Sequence, residues 1–265
     1  MEQGRMQGAG LAMLALAGVL GAGTAQAAGQ CSARSGETTG ALVELYTSEG
    51  CSSCPPADRW FGELASRSDP SMLALLAFHV DYWDQLGWKD NFAQPAFSRR
   101  QSERVHAAGG ATVYTPQVMT STRTTLHWSA PGLVAQDLAA QQREPARYRL
   151  GLQATPVDGG WWIALGAAPS GAAVPGQPMA YLALAQDRLS SAVTRGENAG
   201  SRLAHARVVR GLWGPWPIAD SGLHRDLVVR PPAGALGGFQ LVAFVQDPGN
   251  GRTWQVLGLP LADCR

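Results

Sequence analysis

The first half of the chain alternates short apolar runs with segments whose apolar positions recur at helical spacing. Short apolar runs bounded by turn residues predict buried strands, whereas apolar positions three and four residues apart predict helices. The predicted order is β-α-β-α-β-β-α, which is typical of an α/β sandwich with an adjoining hairpin. The predicted strands are 41–47, 72–80, 111–119 and 124–128, and the predicted helices are 55–66, 95–107 and 131–142.

The pattern changes after Glu144-Pro145. Short apolar or alternating runs recur there, and turns rich in glycine and proline separate them. Short strands at such spacing favour a β-sandwich. The runs are 161–167, 179–186, 205–209, 226–229, 239–246 and 254–259. We therefore expect two domains, an α/β domain over 28–145 and a mostly-β, sandwich-like domain over 146–265.

Composition and charge narrow the class of partner. Hydrophobic residues make up 45% of the 265 residues and charged residues 15%, which suits a globular protein rather than a disordered one. The formal net charge is +1, so no strong field would attract nucleic acid or an anionic membrane surface. We expect no nucleic-acid partner.

The N-terminus has the pattern of a Sec signal peptide. Arg5 precedes an apolar run, 11–22, and Ala25-Gln26-Ala27 has the small-x-small form of a cleavage site. We expect residues 1–27 to be the signal peptide, with cleavage near Ala27, and the mature protein to be periplasmic or secreted. The alternative is a retained membrane anchor, but the run is short for a bilayer, so we expect no membrane span in the mature chain.

The chain has four cysteines, Cys31, Cys51, Cys54 and Cys264, and export favours their oxidation. Thiols outside the cytoplasm tend to form disulfides, and four cysteines allow three connectivities. Because chain termini often lie close together, Cys31–Cys264 is the natural structural pair and leaves Cys51–Cys54 as a local pair. Two free terminal thiols are the alternative.

The Cys51-Ser52-Ser53-Cys54 motif lies where a predicted strand meets a predicted helix. A cysteine at a helix N-terminus gains stabilisation of its thiolate from free backbone N–H groups. Cys51 is therefore the candidate nucleophile, and Cys54 is the candidate resolving thiol that attacks the resulting mixed disulfide.

Other uses of the motif are less well supported. A zinc site usually needs a second pair of ligands, and the sequence has no second C-x-x-C. Covalent haem requires histidine after the second cysteine, where this chain has Pro55. We expect no cofactor and no resident metal, whereas a structural disulfide and copper binding remain as alternatives.

Tyr114-Thr115-Pro116 is a second candidate element. Its position, after the second predicted helix and before a predicted hairpin, is one at which redox domains of this order carry a cis-proline beside the C-x-x-C motif. We expect the Thr115–Pro116 bond to be cis and Pro116 to lie next to Cys51.

These features together resemble the thioredoxin superfamily and, more narrowly, a family of bacterial secreted proteins known as domain-of-unknown-function family 1223. The second resemblance rests on four segments and covers nearly the whole mature chain. It implies a thioredoxin-like fold for the N-terminal domain and no established reaction. The segments are 43–58, with Cys-Ser-Ser-Cys-Pro-Pro-Ala-Asp, 79–90, with His-Val-Asp-Tyr-Trp-Asp, 113–117, Val-Tyr-Thr-Pro-Gln, and 195–200, Arg-Gly-Glu-Asn-Ala-Gly.

Several further residues are candidates for the site. Glu44 lies near the position where thioredoxins carry a buried carboxylate, although its spacing to Cys51 is one residue longer, and we treat it as a candidate general base. Ligands of open α/β sheets bind beyond the carboxyl ends of the strands. The candidate substrate-binding residues there are Thr115, Asp81, Trp83 and Trp88. Glu197 and Asn198 either fold over this site or shape a turn.

The sequence therefore predicts an exported thiol–disulfide oxidoreductase that exchanges disulfides through Cys51 and Cys54. Its substrate would be an exported protein or a small thiol, and its redox partner is not identified by the sequence. Two other classes of function remain as alternatives. One is a binding or assembly module in which Cys51–Cys54 is a structural disulfide, and the other is a copper metallochaperone.

Overall fold

The computed structural model describes Met1 and residues 29–121, 123, 124, 127–130, 132–171, 173–262 and 264. Apart from Met1, the expected signal peptide and its cleavage site lie outside these residues. Thirteen strands, three α-helices and one 3₁₀ helix form within them. In the first half these are β1 (Cys31–Arg34), β2 (Ala41–Thr47), α1 (Pro55–Ser66), β3 (Leu73–His79), a 3₁₀ helix (Asp84–Leu86), α2 (Pro95–Ala107), β4 (Gln117–Thr120) and α3 (Leu133–Gln142).

The second half of the described chain consists of strands. They are β5 (Tyr148–Val157), β6 (Gly160–Pro169), β7 (Met179–Gln186), β8 (Leu189–Ala192), β9 (Arg202–His205), β10 (Val208–Pro217), β11 (Leu223–Val229), β12 (Phe239–Gln246) and β13 (Thr253–Pro260).

The central feature is a seven-stranded mixed sheet of order β13-β12-β7-β10-β3-β2-β4. β2 and β3 run parallel, and β10 pairs parallel to β3 through Val208 and Ala77. The other neighbouring pairs in this sheet are antiparallel. Strands from both halves of the sequence therefore share one sheet.

Two layers cover this sheet. On one face, Leu42, Tyr46 and Phe78 pack with Phe97 of α2. On the other face, alternate residues of β2 and β3 pack against α1 and α3. The same face, at the β7–β12–β13 end, packs against a four-stranded sheet of order β1-β5-β6-β11. β2 is buried along its whole length, as expected for a strand covered on both faces.

The expected fold class is wrong. The protein is mostly β, and it is not a thioredoxin-like α/β domain followed by a β domain. The physical reason is the position of β10: it pairs with β7 on one side and with β3 on the other, so the parallel strands of the first half extend into the strands of the second half. A hydrophobic pattern identifies a strand but not its neighbour, so this pairing could not be read from the apolar runs.

Most local predictions agree with the structure. Strands 41–47, 179–186 and 239–246 and the helices 55–66 and 95–107 form at the predicted bounds. The predicted strand 111–119 is reduced to Gln117–Thr120. The predicted strand 124–128 falls partly on residues outside those described. None of the helices that the described residues form is both long and apolar enough to cross a membrane.

Candidate functional site

The Cys51–Cys54 disulfide lies in the turn between β2 and α1. Its two Cα atoms are 5.4 Å apart. The Cys51 N–H donates to Ser48 O at 3.2 Å, and the Cys54 N–H donates to Cys51 O at 3.2 Å, so the motif continues the turn that ends β2. α1 begins at Pro55, and Cys54 is its N-cap residue. Cys51 thus lies one turn ahead of the helix, whereas the sequence suggested that Cys51 itself would cap it.

Both sulfur-bearing residues are buried. Cys51 and Cys54 have 0% of their surface exposed, whereas Ser52 and Ser53 between them are exposed. The motif therefore presents its two serines to the solvent and keeps both cysteines inside. A reaction at either sulfur requires the surrounding chain to move.

A loop from the second half of the chain covers the turn. The Asn198 side-chain amide donates to the carbonyl oxygens of Glu49 at 2.9 Å and of Cys51 at 3.0 Å. The Ser52 N–H donates to Glu197 Oε2 at 3.0 Å, and hydrogen bonds from the Ser52 side chain and backbone lower the pKa of the Glu197 carboxyl. We call residues 193–200, between β8 and β9, the latch loop. Of the two readings of Glu197 and Asn198, the structure supports the one in which they fold over the cysteines.

The Thr115–Pro116 bond is cis, as predicted from the sequence. The residue before the proline lies beside the motif, because Ser53 Oγ is 3.4 Å from Thr115 O and 3.4 Å from Cys51 Sγ. Tyr114 is 38% exposed, so an aromatic surface adjoins this contact.

A buried polar network lies behind the cysteine turn. His79 Nδ1 is 2.6 Å from Asp90 Oδ2, and His205 Nε2 is 3.1 Å from Glu49 Oε1. The Glu49 N–H donates to Asp90 Oδ2 at 2.9 Å, which joins the two pairs. Trp88 Nε1–H donates to Glu49 Oε2 at 2.7 Å. The network therefore connects β3, the loop before α2, and β9 to the residue two positions ahead of Cys51.

The network is charged. Burial opposes ionisation of Asp90, but the His79 imidazole and its hydrogen bond lower the pKa of Asp90 below its ordinary value. Burial also disfavours protonation of His79, yet Asp90, Asp58 and Glu49 raise the pKa of His79. Burial opposes ionisation of Glu49, but hydrogen bonds with His205, Ser191 and Trp88 together lower the pKa of Glu49. His79 and Asp90 thus form a buried ion pair.

Asp58 is a carboxylate that sequence reasoning missed. It lies four residues after Cys54 on α1, and its N–H donates to the Cys54 carbonyl at 3.0 Å. Thr47 Oγ1–H donates to Asp58 Oδ1 at 2.8 Å. Burial raises the pKa of Asp58, and the charges of His79 and His205 offset only part of the rise. The signal that could have found it is the spacing Cys54–Asp58, one helical turn on the same face.

Glu44 lies on the opposite face of β2 from α1. Its carboxylate forms a short ion pair with Arg100 and lies 3.2 Å from Arg104 Nε, both on α2. The Tyr46 hydroxyl also donates to it at 3.2 Å. Burial would raise the pKa of Glu44, but the two arginines lower it, so the carboxylate is held ionised. Residues alternate between faces along a strand, so a spacing one residue longer turns the side chain to the other face.

The structure brings only some of the substrate-binding candidates to the motif. Thr115 contacts Ser53, as described above. Trp83 packs against Gly50, where an added Cβ would lie 3.3 Å from Trp83 Cβ. Trp88 binds Glu49 in the network. Asp81 instead accepts a short hydrogen bond from the Ser98 hydroxyl. Its carboxylate therefore binds α2 rather than the cysteine motif.

A groove with a volume of about 900 Å³ runs between α1 and β9. Asp58 and His205 line it together with apolar residues that include Ala65, Leu189 and Phe239. The groove therefore gives solvent a route to the side of α1 that carries Asp58. Among the described residues, no group of three or more His, Cys, Asp or Glu side chains has the arrangement of a metal site.

A second disulfide, Cys31–Cys264, joins the first strand of the four-stranded sheet to the residues after β13. Its Cα atoms are 5.3 Å apart, and Cys264 is buried in the core between the two sheets. The predicted pairing of the four cysteines is confirmed.

The fold and the site together define a mixed β-sheet protein with a buried disulfide at the N-terminus of a helix. The chain belongs to the family described as "Protein of unknown function (DUF1223)", whose family model matches residues 42–246. No curated protein matches the chain.

Two solved structures are similar in fold. Protein AGR_C_4864 from Agrobacterium tumefaciens has a TM-score of 0.61 and 21% identity, over 87% of this chain and 98% of that chain. HBP35 of Porphyromonas gingivalis has a TM-score of 0.66 and 12% identity, over 85% of this chain and 76% of that chain. At these identities the likeness concerns the fold alone.

Proposed function

We propose that the protein is an exported thiol–disulfide oxidoreductase that exchanges disulfides through Cys51 and Cys54. The observation that carries the proposal is the position of the disulfide, directly ahead of α1 and at the carboxyl end of parallel strand β2. The positive end of the α1 dipole at this position stabilises a thiolate and so eases reduction of the disulfide.

The two cysteines have different roles in this proposal. Cys51 is the nucleophile because it adjoins the exposed Ser52 and lies beside Ser53 and Thr115, where a substrate strand could pair with the backbone. Cys54 is the resolving thiol because it caps α1 and is followed directly by the helix. The relation to the thioredoxin superfamily is proposed only at this local level, as a Cys-x-x-Cys turn beside the Thr115–Pro116 segment.

The buried sulfurs require a step that uncovers them. The latch loop contacts the motif at Ser52 through Glu197 and at Cys51 through Asn198. The Glu197 carboxylate is exposed, so water competes for its hydrogen bond. We propose that displacement of this loop by the substrate exposes Cys51.

The two disulfides are also consistent with export, because disulfides persist mainly outside the cytoplasm. We propose a periplasmic or secreted protein whose first 27 residues are a signal peptide. Its substrate would be an exported protein or a small thiol.

The reduction potential of Cys51–Cys54 tests the proposal. We expect a value of roughly −270 to −120 mV, between thioredoxin and the strongest periplasmic oxidants. Equilibration in glutathione and dithiothreitol buffers, read by alkylation and mass spectrometry, measures it. Alkylation of the reduced protein at a pH of about 6.5 should label Cys51 before Cys54. Preferential labelling of Cys54 would contradict the roles given above.

The burial of both cysteines favours one other function, a binding or assembly module with a structural Cys51–Cys54 disulfide. Structural disulfides typically have potentials below about −300 mV. A value in that range, together with no activity in insulin reduction or in refolding of a scrambled substrate, would replace the oxidoreductase proposal with this one.

A further inference from the structure

We propose that Asp58 is the proton acceptor for the Cys54 thiol during exchange, an inference that rests on the proposed function. Its basis is the position of the Asp58 carboxylate, one helical turn from Cys54 and at the edge of the groove beside α1.

Two hydrogen bonds define that position. The Asp58 N–H donates to the Cys54 carbonyl, so the two residues are separated by one turn of α1. Residues four apart on a helix share a face, with Cβ atoms about 5–6 Å apart. Thr47 Oγ1–H holds Asp58 Oδ1 at the carboxyl end of β2, the strand that leads into the cysteine turn.

A proton acceptor is needed there because Cys54 has no exposed surface. The nearby carboxylates Glu49 and Asp90 are each bound to a histidine, and Glu44 lies across the sheet with two arginines. Asp58 is bound by a neutral hydroxyl and borders the groove. It can therefore take a proton from the interior and release it to solvent.

The charges around Asp58 come from several elements. His79 of β3, His205 of β9 and Asp90 act on it from the interior. The charged residues that line the groove around it are Arg59, Glu63, Asp187, Arg188 and Arg207. Burial raises the pKa of Asp58 more than the two histidines lower it, which makes its carboxylate a better base than an exposed aspartate.

The step begins with a mixed disulfide between Cys51 and a substrate sulfur. The Cys54 thiol transfers its proton to the Asp58 carboxylate. The resulting thiolate attacks Cys51 Sγ, forms the Cys51–Cys54 bond and breaks the bond from Cys51 to the substrate. The substrate sulfur leaves as a thiolate and accepts a proton. The two protein thiols are oxidised, and the substrate disulfide is reduced to two thiols. The reverse sequence oxidises a substrate dithiol.

Reaction of the reduced protein with excess dithiobis-nitrobenzoate separates the two halves of the exchange. Attack by Cys51 releases the first coloured thiolate, and displacement by Cys54 releases the second. The rate of the second release is then measured, as a function of pH, in wild type, Asp58→Asn, Asp58→Glu and Glu103→Gln. Glu103 is exposed on α2, across the sheet from α1, so Glu103→Gln is the matched control.

In Asp58→Asn the second release should slow by about tenfold or more near neutral pH and recover as hydroxide increases. Asp58→Glu should retain most of the rate, and Glu103→Gln should match wild type. The direction is diagnostic. Removal of a negative charge next to Cys54 would by itself favour the thiolate and speed the release, so slowing identifies loss of the proton acceptor.

Thr47→Val provides a second test if Asp58→Asn fails to fold. It removes the hydrogen bond that favours the charged carboxylate, so the pH at which the rate falls should move upward. An unchanged pH profile in Thr47→Val, or a wild-type rate in folded Asp58→Asn, would overturn the role of Asp58. Absence of the first release in wild type would instead overturn the proposed exchange itself.

Discussion

The side-chain amide of Asn198 donates a 3.0 Å hydrogen bond to the backbone carbonyl of Cys51, 147 residues earlier in the chain. The same amide donates to the Glu49 carbonyl at 2.9 Å, and Asn198 is buried. Two carbonyls of the cysteine turn thus depend on a residue of the second half for their hydrogen bonds. The conformation of the motif is therefore coupled to the latch loop.

Asn198→Ala should weaken the attachment of the latch loop to the cysteine turn. It leaves two buried carbonyls without their donor, at a cost of about 1–3 kcal/mol in the free energy of unfolding. Reduction of Cys51–Cys54 by dithiothreitol should become several-fold faster, because the covering loop opens more often. Stopped-flow reduction and urea denaturation measure the two effects. Asn91→Ala, at an exposed position before α2, is the control, and equal reduction rates in all three proteins would show that the loop does not limit access.

Glu197→Gln should change the ionisation of Cys51. The Ser52 N–H next to Cys51 is bound by the Glu197 carboxylate, whose negative charge disfavours a thiolate close by. Removal of that charge should lower the pKa of the Cys51 thiol and make the disulfide easier to reduce. The pH dependence of Cys51 alkylation measures the pKa, with Glu37→Gln in an exposed loop as the control. A pKa that rises, or a less readily reduced disulfide, would contradict this account.

Glu44→Gln should lower the free energy of unfolding and leave the rate of disulfide exchange unchanged. The substitution leaves Arg100 and Arg104 buried beside a neutral amide, and loss of one partner of a buried ion pair costs about 3–5 kcal/mol. Because the carboxylate lies across the sheet from α1, the rate at which Cys54 displaces a mixed disulfide should remain that of wild type. Denaturation and the two-step release assay test both parts. Slower displacement in folded Glu44→Gln would give Glu44 the general-base role expected from the sequence.

The sequence predicted which segments form helices and strands better than it predicted which strands pair with each other. β2, α1 and α2 follow from buried runs, helical spacing and a proline at the first turn, all of which are local signals. The pairing of β10 with β3 joins residues about 130 positions apart, and no pattern within either strand specifies it. The predicted fold class was therefore wrong, although most of the predicted helices and strands form.

In the candidate site, too, local features could be predicted and features that depend on distant parts of the chain could not. The two disulfides and the Thr115–Pro116 geometry could be predicted because cysteine spacing and proline position are visible in the sequence. Asp58 was missed because its burial depends on β9 and the groove, which come from the second half. The orientation of Glu44 was missed because one residue of register decides the face of a strand.

Cys31→Ser with Cys264→Ser should lower stability without changing exchange. The bridge closes a loop with a sequence separation of 233 residues, and the chain-entropy account gives about 4–5 kcal/mol for loops of this size. The reduction potential of Cys51–Cys54 should remain that of wild type, since the other disulfide lies in the core between the two sheets. Thermal denaturation and redox equilibration test the two statements. A shifted potential would reveal coupling between the disulfides.

Asp90→Asn should destabilise the protein in a pH-dependent way. The folded-state pKa of Asp90 is lowered from 3.8, so its contribution is present above that value and is lost as pH falls through the folded-state pKa. The folded-state pKa of His79 is raised from 6.5, so its contribution is present below that value and is lost as pH rises through the folded-state pKa. Both contributions are therefore complete only between about pH 4 and pH 6.5.

Within that window the free energy of unfolding of Asp90→Asn should lie about 3–5 kcal/mol below that of wild type, because His79 loses its buried partner. The difference should shrink at higher pH as His79 becomes neutral in the wild type, and again at lower pH as Asp90 is protonated. Urea denaturation across the range measures it, with Asp158→Asn in an exposed turn as the control. A difference that stays constant with pH would mean that Asp90 stabilises the turn through the Glu49 and Phe92 N–H groups rather than through the charge of His79.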